Sequence, residues 1–272
     1  MNESTETSKA VLRGDPIQWN DLTLFPILVL EYEKFNSAKS GIVLSQQTLP
    51  AKYAGMKYLE ALYALDADRI QNGEPPVGLF SKAMHFLTLA LRLPDKTDDQ
   101  GKKYLPIRVI VKENDVSKLA AVLVEVDGKD IKITPKDFNK LRILLAEMNG
   151  LELPNEAHNA ELEEAERDLA ARGNMGLHID FEDMIYSVSV QSGICVEEIL
   201  EWPMRKFFKV KSAIDRGIGY RLAYLAEASG AKYKRGNPWP SWVFDREKGL
   251  SAALIPLGQF QKQLNGTVAI QK

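Results

Sequence analysis

Apolar positions recur along this chain with two different periods. The longest helical pattern runs from 204 to 225. There Met204, Phe207, Phe208, Ile214, Ile218, Leu222 and Leu225 share one stripe at about 100° per residue. Before it, Phe181, Met184, Ile185 and Val188 follow the i, i+3, i+4, i+7 spacing of one helical face, with Asp180 suited to cap the helix and Gly193 to end it. Val196, Ile199 and Leu200 predict a short helix. Pro203 breaks it near Trp202 and opens the long one. In the first half, helices are predicted from Pro26 to Phe35, over 51–72 and over 78–93. The last is mostly apolar, is stopped by Pro94 and belongs in the core.

The period changes between about 106 and 133. Ile107, Val109 and Val111 alternate with Arg108, Ile110 and Lys112, and a β-branched run leads from Ala120 to Val126. Asp127–Gly128 is a strong hairpin signal before Ile131 and Ile133. This predicts an antiparallel sheet of about three strands. A further pair of short strands is expected at Ile17–Trp19 and Leu22–Phe25. After the sheet, Thr134, Pro135 and Asp137 have the pattern of a helix N-terminus, and Asn149–Gly150 that of its end.

These elements predict a mainly α protein with a small antiparallel β-sheet, an α+β class, and a helical C-terminal half. The expected organisation is a flexible N-terminus (1–13), a helical domain carrying the sheet (14–150), an acidic linker or helix (151–176), a helical domain (177–249) and a C-terminal arm (250–272).

Composition narrows the chemistry. The 272 residues are 45% hydrophobic with a net charge of −2, and the pI is about 6.0. No global field attracts nucleic acid or an anionic membrane. No apolar run reaches the length of a membrane span. The single cysteine, Cys195, is expected in an apolar setting and suits a reducing compartment. His85, His158 and His178 are dispersed and show no metal-ligand spacing. Gly217–Ile218–Gly219 imitates the start of a dinucleotide motif but sits inside a helix. Glu125, Asp127, Lys129 and Asp130 crowd the hairpin and could hold magnesium, although an Asp-Gly turn with solvated neighbours explains them more simply. Glu161, Glu163, Glu164 and Glu166 read as a solvated helix face. No catalytic residue, cofactor or metal is expected.

What remains are features suited to binding. Phe207 and Phe208 open the long stripe. Lys211 and Asp215 lie within it, four residues apart, either as a solvated edge or as a pair that sets register against a partner. Tyr220 and Tyr224 occupy the other face. Trp239 and Trp242 stand on a loop stiffened by Pro238 and Pro240, where large aromatics make good anchors. With Lys232, Lys234 and Arg235 nearby, the same loop also fits a small nucleic-acid patch, so a nucleic-acid-binding or nucleic-acid-processing protein is the alternative. Three cations provide little affinity for that task.

Three segments together resemble tail-assembly and baseplate-associated proteins of tailed bacteriophages. They are GDPIQWNDLTLFP near the N-terminus, ITPKDFNKLRILLAEMNGLELPNE in the middle, and SGICVEEILEWPMRKFFKVKSAID followed by YRLAYLAEASGAKYK. The long polar N-terminus and the Trp-Pro-rich segment at 236–242 depart from the family's pattern. The resemblance implies a tail-assembly chaperone or a structural component that acts by protein–protein binding. Its partners would be tail-tube, tape-measure or baseplate proteins. Its location would be the bacterial host cytoplasm, with incorporation into the virion as an option.

Overall fold

Residues 3–97, 101, 103–113, 115–154, 180–233 and 237–243 are described by the computed structural model. They form an α+β fold, mainly helical with small antiparallel sheets. Internal contacts divide the chain into two units. The first joins Met1–Ala157 to Glu182–Val210, and the second joins His158–Phe181 to Lys211–Lys272. The division is therefore not the one expected between 14–150 and 177–249, because the helices just before and after Trp202 pack with the first unit.

In that unit, α1 (Glu3–Arg13) is helical where the sequence suggested a flexible start, and Val11 is buried. Strands β1 (Ile17–Trp19) and β2 (Leu22–Leu24) pair antiparallel. Asn20 turns between them at a φ of 50°, a conformation asparagine tolerates. The helix expected from Pro26 starts later, as α2 (Tyr32–Ala38) after one 3-10 turn. The cause is long-range. Ile27 N–H donates to Asn149 Oδ1 at 2.9 Å, Ile27 O accepts from Met204 N–H at 2.9 Å, and Val29 N–H donates to Trp202 O at 2.9 Å. Backbone groups engaged this way are not available to a helix.

A four-residue helix, α3 (Ser40–Val43), lies so close to α5 (Leu79–Ala90) that a Cβ on Gly41 would stand 2.2 Å from Ala83 N. Between them in sequence, α4 (Tyr58–Gln71) begins later than the expected 51, after a separate 3-10 turn at Ala51–Tyr53. As predicted, α5 is central, with Leu79, Met84, Phe86 and Leu87 buried. Ser81 and His85 are exposed on the same helix, with His85 Nδ1 2.9 Å from Ser81 O, so His85 is not one of its core residues.

The charged loop that follows holds a two-residue strand pair, β3 (Lys96–Thr97) and β4 (Lys103–Tyr104). The larger sheet has the order β5 (Ile107–Lys112), β6 (Asp115–Val126), β7 (Lys129–Ile133). Asp127 (φ 50°) and Gly128 (φ 75°) make its turn, both left-handed as a two-residue hairpin requires. One face of β6 buries Val122 and Val124 as the strand packs on α4 and α6 (Pro135–Asn149).

Capping of α6 follows the sequence. Asp137 N–H donates to Thr134 Oγ1 at 3.2 Å, and the Thr134 hydroxyl donates to Asp137 Oδ2 at 2.6 Å. Gly150 closes the helix at a φ of 69°. Arg142, among the apolar residues of α6, is buried. Its guanidinium donates to Ile42 O at 2.6 Å and Leu44 O at 2.8 Å, and lies 3.5 Å from the Tyr58 ring centroid.

The C-terminal helices are α7 (Phe181–Ser192), α8 (Val196–Leu200) and α9 (Met204–Ala228). Cys195 stands exposed at the start of α8, not in an apolar setting. Pro203 bridges to Leu28. A Cβ on Gly14, whose φ is 77°, would fall 2.6 Å from Pro203 Cγ, so only glycine permits that approach. Arg205 Nη1–H donates to Glu147 O at 2.9 Å. The chain around Pro203 and Arg205 is thus approached from two sides, by Gly14 and by Glu147 at the end of α6. Asn149 is fully buried there, with Nδ2–H donating to Leu145 O at 2.8 Å.

Candidate protein-binding surface

The residues expected to bind a partner fall into two environments along α9. Phe207 and Phe208 belong to the first unit. Phe207 is 0% exposed and therefore a core residue, a correction to its expected place on a binding surface. Its ring meets Phe208 edge-on at 5.8 Å between centroids, and Phe208, half-buried, lies 6.4 Å from Phe35. Phe35 of α2 thus lies against the start of the stripe that the periodicity identified, and is itself 5.7 Å from Phe86 of α5.

The remaining candidates belong to the second unit. Lys211 Nζ–H donates to Asp215 Oδ2 at 2.6 Å, and the two side chains are 34% and 53% exposed. At that exposure the pair is solvated and weak, and does not fix register by itself. Further along, Tyr220 is half-buried. Leu222, Tyr224 and Leu225 are 62%, 61% and 60% exposed.

The Trp-Pro loop returns to α9. A Cβ on Gly219 would lie 2.6 Å from the Trp239 ring, so the indole rests directly on the helix backbone. Four residues on, Ala223 is buried. Trp239 N–H donates to Asn237 Oδ1 at 2.8 Å, which turns the chain before the ring. Arg216 Nε–H donates to Trp242 O at 3.1 Å, holding the far end of the loop. The two tryptophans therefore differ. Trp239 is half-buried on its own helix, while Trp242 is 65% exposed beside Val243 at 47%.

In sequence, Gly219 stands out only as part of Gly217–Ile218–Gly219, the imitation of a dinucleotide motif. The signal available was its spacing: glycine and alanine at i and i+4 form a smooth strip, and a loop with tryptophan follows the helix. Gly217 has open space at its Cβ position, and nothing in the structure explains it.

Other chemistry is sparse. Arg108 pairs with Asp130 across the sheet, and Lys96 reaches Glu125 at 2.6 Å, so two of the hairpin carboxylates are neutralised by neighbouring cations. Among the described residues no group of three or more His, Cys, Asp or Glu side chains is arranged to hold a metal ion. His158, His178, the glutamates at 161–166, Lys234, Arg235 and the arm at 250–272 lie outside the described residues. No helix among the described residues is long and apolar enough to cross a membrane. No family model, curated protein or solved structure matches the chain.

Proposed function

We propose that the protein assists the assembly of a bacteriophage tail or baseplate by binding other tail proteins, without catalysis. The observation that supports this reading is the run of large side chains left exposed in the second unit: Leu222, Tyr224 and Leu225 on α9, and Trp242 on its loop. A single exposed leucine is ordinary, but Leu222 and Leu225 stand one turn apart on one face of α9 and are both uncovered, as a partner-binding face would be. Trp242 also sits on a loop fixed at both ends, so little freedom is lost when it is covered. The resemblance of the three sequence segments supplies the class of partner.

The test is a pull-down from phage-infected cells with wild-type protein and with a Leu222→Asp, Leu225→Asp, Trp242→Ala variant. All three side chains are exposed, so the variant should keep its melting temperature. Wild type should retrieve a tail-tube, tape-measure or baseplate protein that the variant does not. A variant that stays folded and still retrieves every tail protein refutes the surface. A DNA gel shift by the wild type without any tail protein in the pull-down would favour nucleic-acid binding instead.

A further inference from the structure

A second surface lies wholly within the first unit, between α1 and the start of α9. It is a cleft of about 240 Å³. Val11, Pro203 and Val210 give it an apolar lining, and Leu12 beside them is 75% exposed. Arg13, Arg205, Lys206 and Lys209 also line it, and no carboxylate does. The volume falls below the roughly 300–1,000 Å³ of small-molecule sites, so the cleft fits one side chain of a larger ligand better than an enclosed metabolite.

The cations are partly fixed. Arg205 is held by Glu147 O at 2.9 Å, and Lys206 Nζ stands 3.9 Å from the Trp202 ring centroid. Arg13 meets Asp15 at 3.6 Å, an exposed and weak pair. Position makes the set more telling. The first turn of α9 carries no acidic residue. Positive charge near a helix N-terminus opposes the macrodipole, so α9 bears Arg205 and Lys206 in its first turn against its own local preference. An anionic partner relieves that repulsion.

We propose that this cleft docks an acidic segment of a partner protein, with an apolar side chain seated between carboxylates that meet the surrounding cations. Nucleic acid fits less well. Four cations give weak, salt-sensitive phosphate binding, and the apolar lining beside Leu12 calls for hydrocarbon. This goes beyond the surface in the second unit and does not depend on it.

The test uses the full chain and a fluorescein-labelled peptide with leucines flanked by glutamates, read by fluorescence anisotropy. Wild type should bind it saturably, and binding should weaken as salt rises. A peptide with glutamines in place of glutamates should bind at least tenfold more weakly. An Arg13→Glu, Lys209→Glu variant and, separately, a Leu12→Glu variant should each lose at least tenfold with an unchanged melting temperature, since these side chains are exposed. The Leu222→Asp, Leu225→Asp, Trp242→Ala variant should bind the peptide as wild type does, which keeps the two surfaces distinguishable. Absence of saturation, equal binding by the charge-reversed variant, or preference for single-stranded DNA over the peptide would each overturn the proposal.

Discussion

Replacing Gly219 with alanine should release the Trp-Pro loop from α9 while leaving the helix intact. The added Cβ would stand 2.6 Å from the Trp239 ring, so the indole has to move. Within the helix, alanine is favoured over glycine by about 1 kcal/mol. Fully burying a large apolar side chain contributes roughly 1.5–3 kcal/mol. Trp239 is half-buried, so releasing it forfeits on the order of half that value. The two effects nearly cancel, and the melting temperature should move by no more than about 4 °C. The local change should be large. With 5-fluorotryptophan, each of the four tryptophans gives its own NMR resonance. The Trp239 resonance should move towards its solvent-exposed position, and that of Trp242 should follow because Arg216 anchors the same loop. Trp19 and Trp202, in the other unit, should not change. An unchanged Trp239 resonance refutes the packing of indole on Gly219. A fall of more than about 10 °C would show that the loop is part of what folds the helix rather than an addition to it.

Asn149→Ala should be costly for a polar substitution: it leaves the Ile27 N–H buried without its acceptor, worth about 1–3 kcal/mol. Urea unfolding should show that loss, and a difference under about 0.5 kcal/mol would contradict it. Asp215→Ala should lose less than about 1 kcal/mol, because the Lys211 pair is solvated; a double-mutant cycle with Lys211→Ala measures the coupling. Lys118 and Ser117 together hold the Asp115 carboxyl down at about 2. Since its folded value lies below the ordinary 3.8, the stability it adds is present above 3.8 and is lost as pH falls towards 2; carboxyl NMR should give a midpoint near 2, and one near 3.8 would remove the pair.

Local chemistry was legible in the sequence wherever one short segment settles the outcome. Asp127–Gly128 makes the hairpin turn because both residues accept positive φ. Thr134 with Asp137 starts α6, Gly150 and Gly193 end helices, and Pro203 separates α8 from α9. Features set by distant partners were not legible. Ile27 looks like the first turn of a helix, yet its N–H and C=O are taken by Asn149 and Met204. Arg142 looks like a break in the apolar residues of α6, yet two backbone carbonyls and a tyrosine ring satisfy it in the core. Neither arrangement has any trace within a window of one helix, because each requires a segment far away in sequence, 122 residues for Ile27 and Asn149 and 100 for Arg142 and Ile42.

The stripe on α9 shows how far periodicity reaches towards function. It states which residues share a face and is silent on what covers them. Phe207 and Leu222 follow the same rule of spacing, yet one is fully buried and the other is 62% exposed. The first turns lie in the first unit, where Phe35 packs against Phe208. Beyond Val210 the Trp-Pro loop covers the strip at Gly219 and leaves Leu222 and Leu225 open. One end of the stripe is therefore core, and the other end is the surface on which the proposed partner would bind. That division is why substitutions at Phe207 should act on folding, while substitutions at Leu222 and Leu225 should act on binding alone.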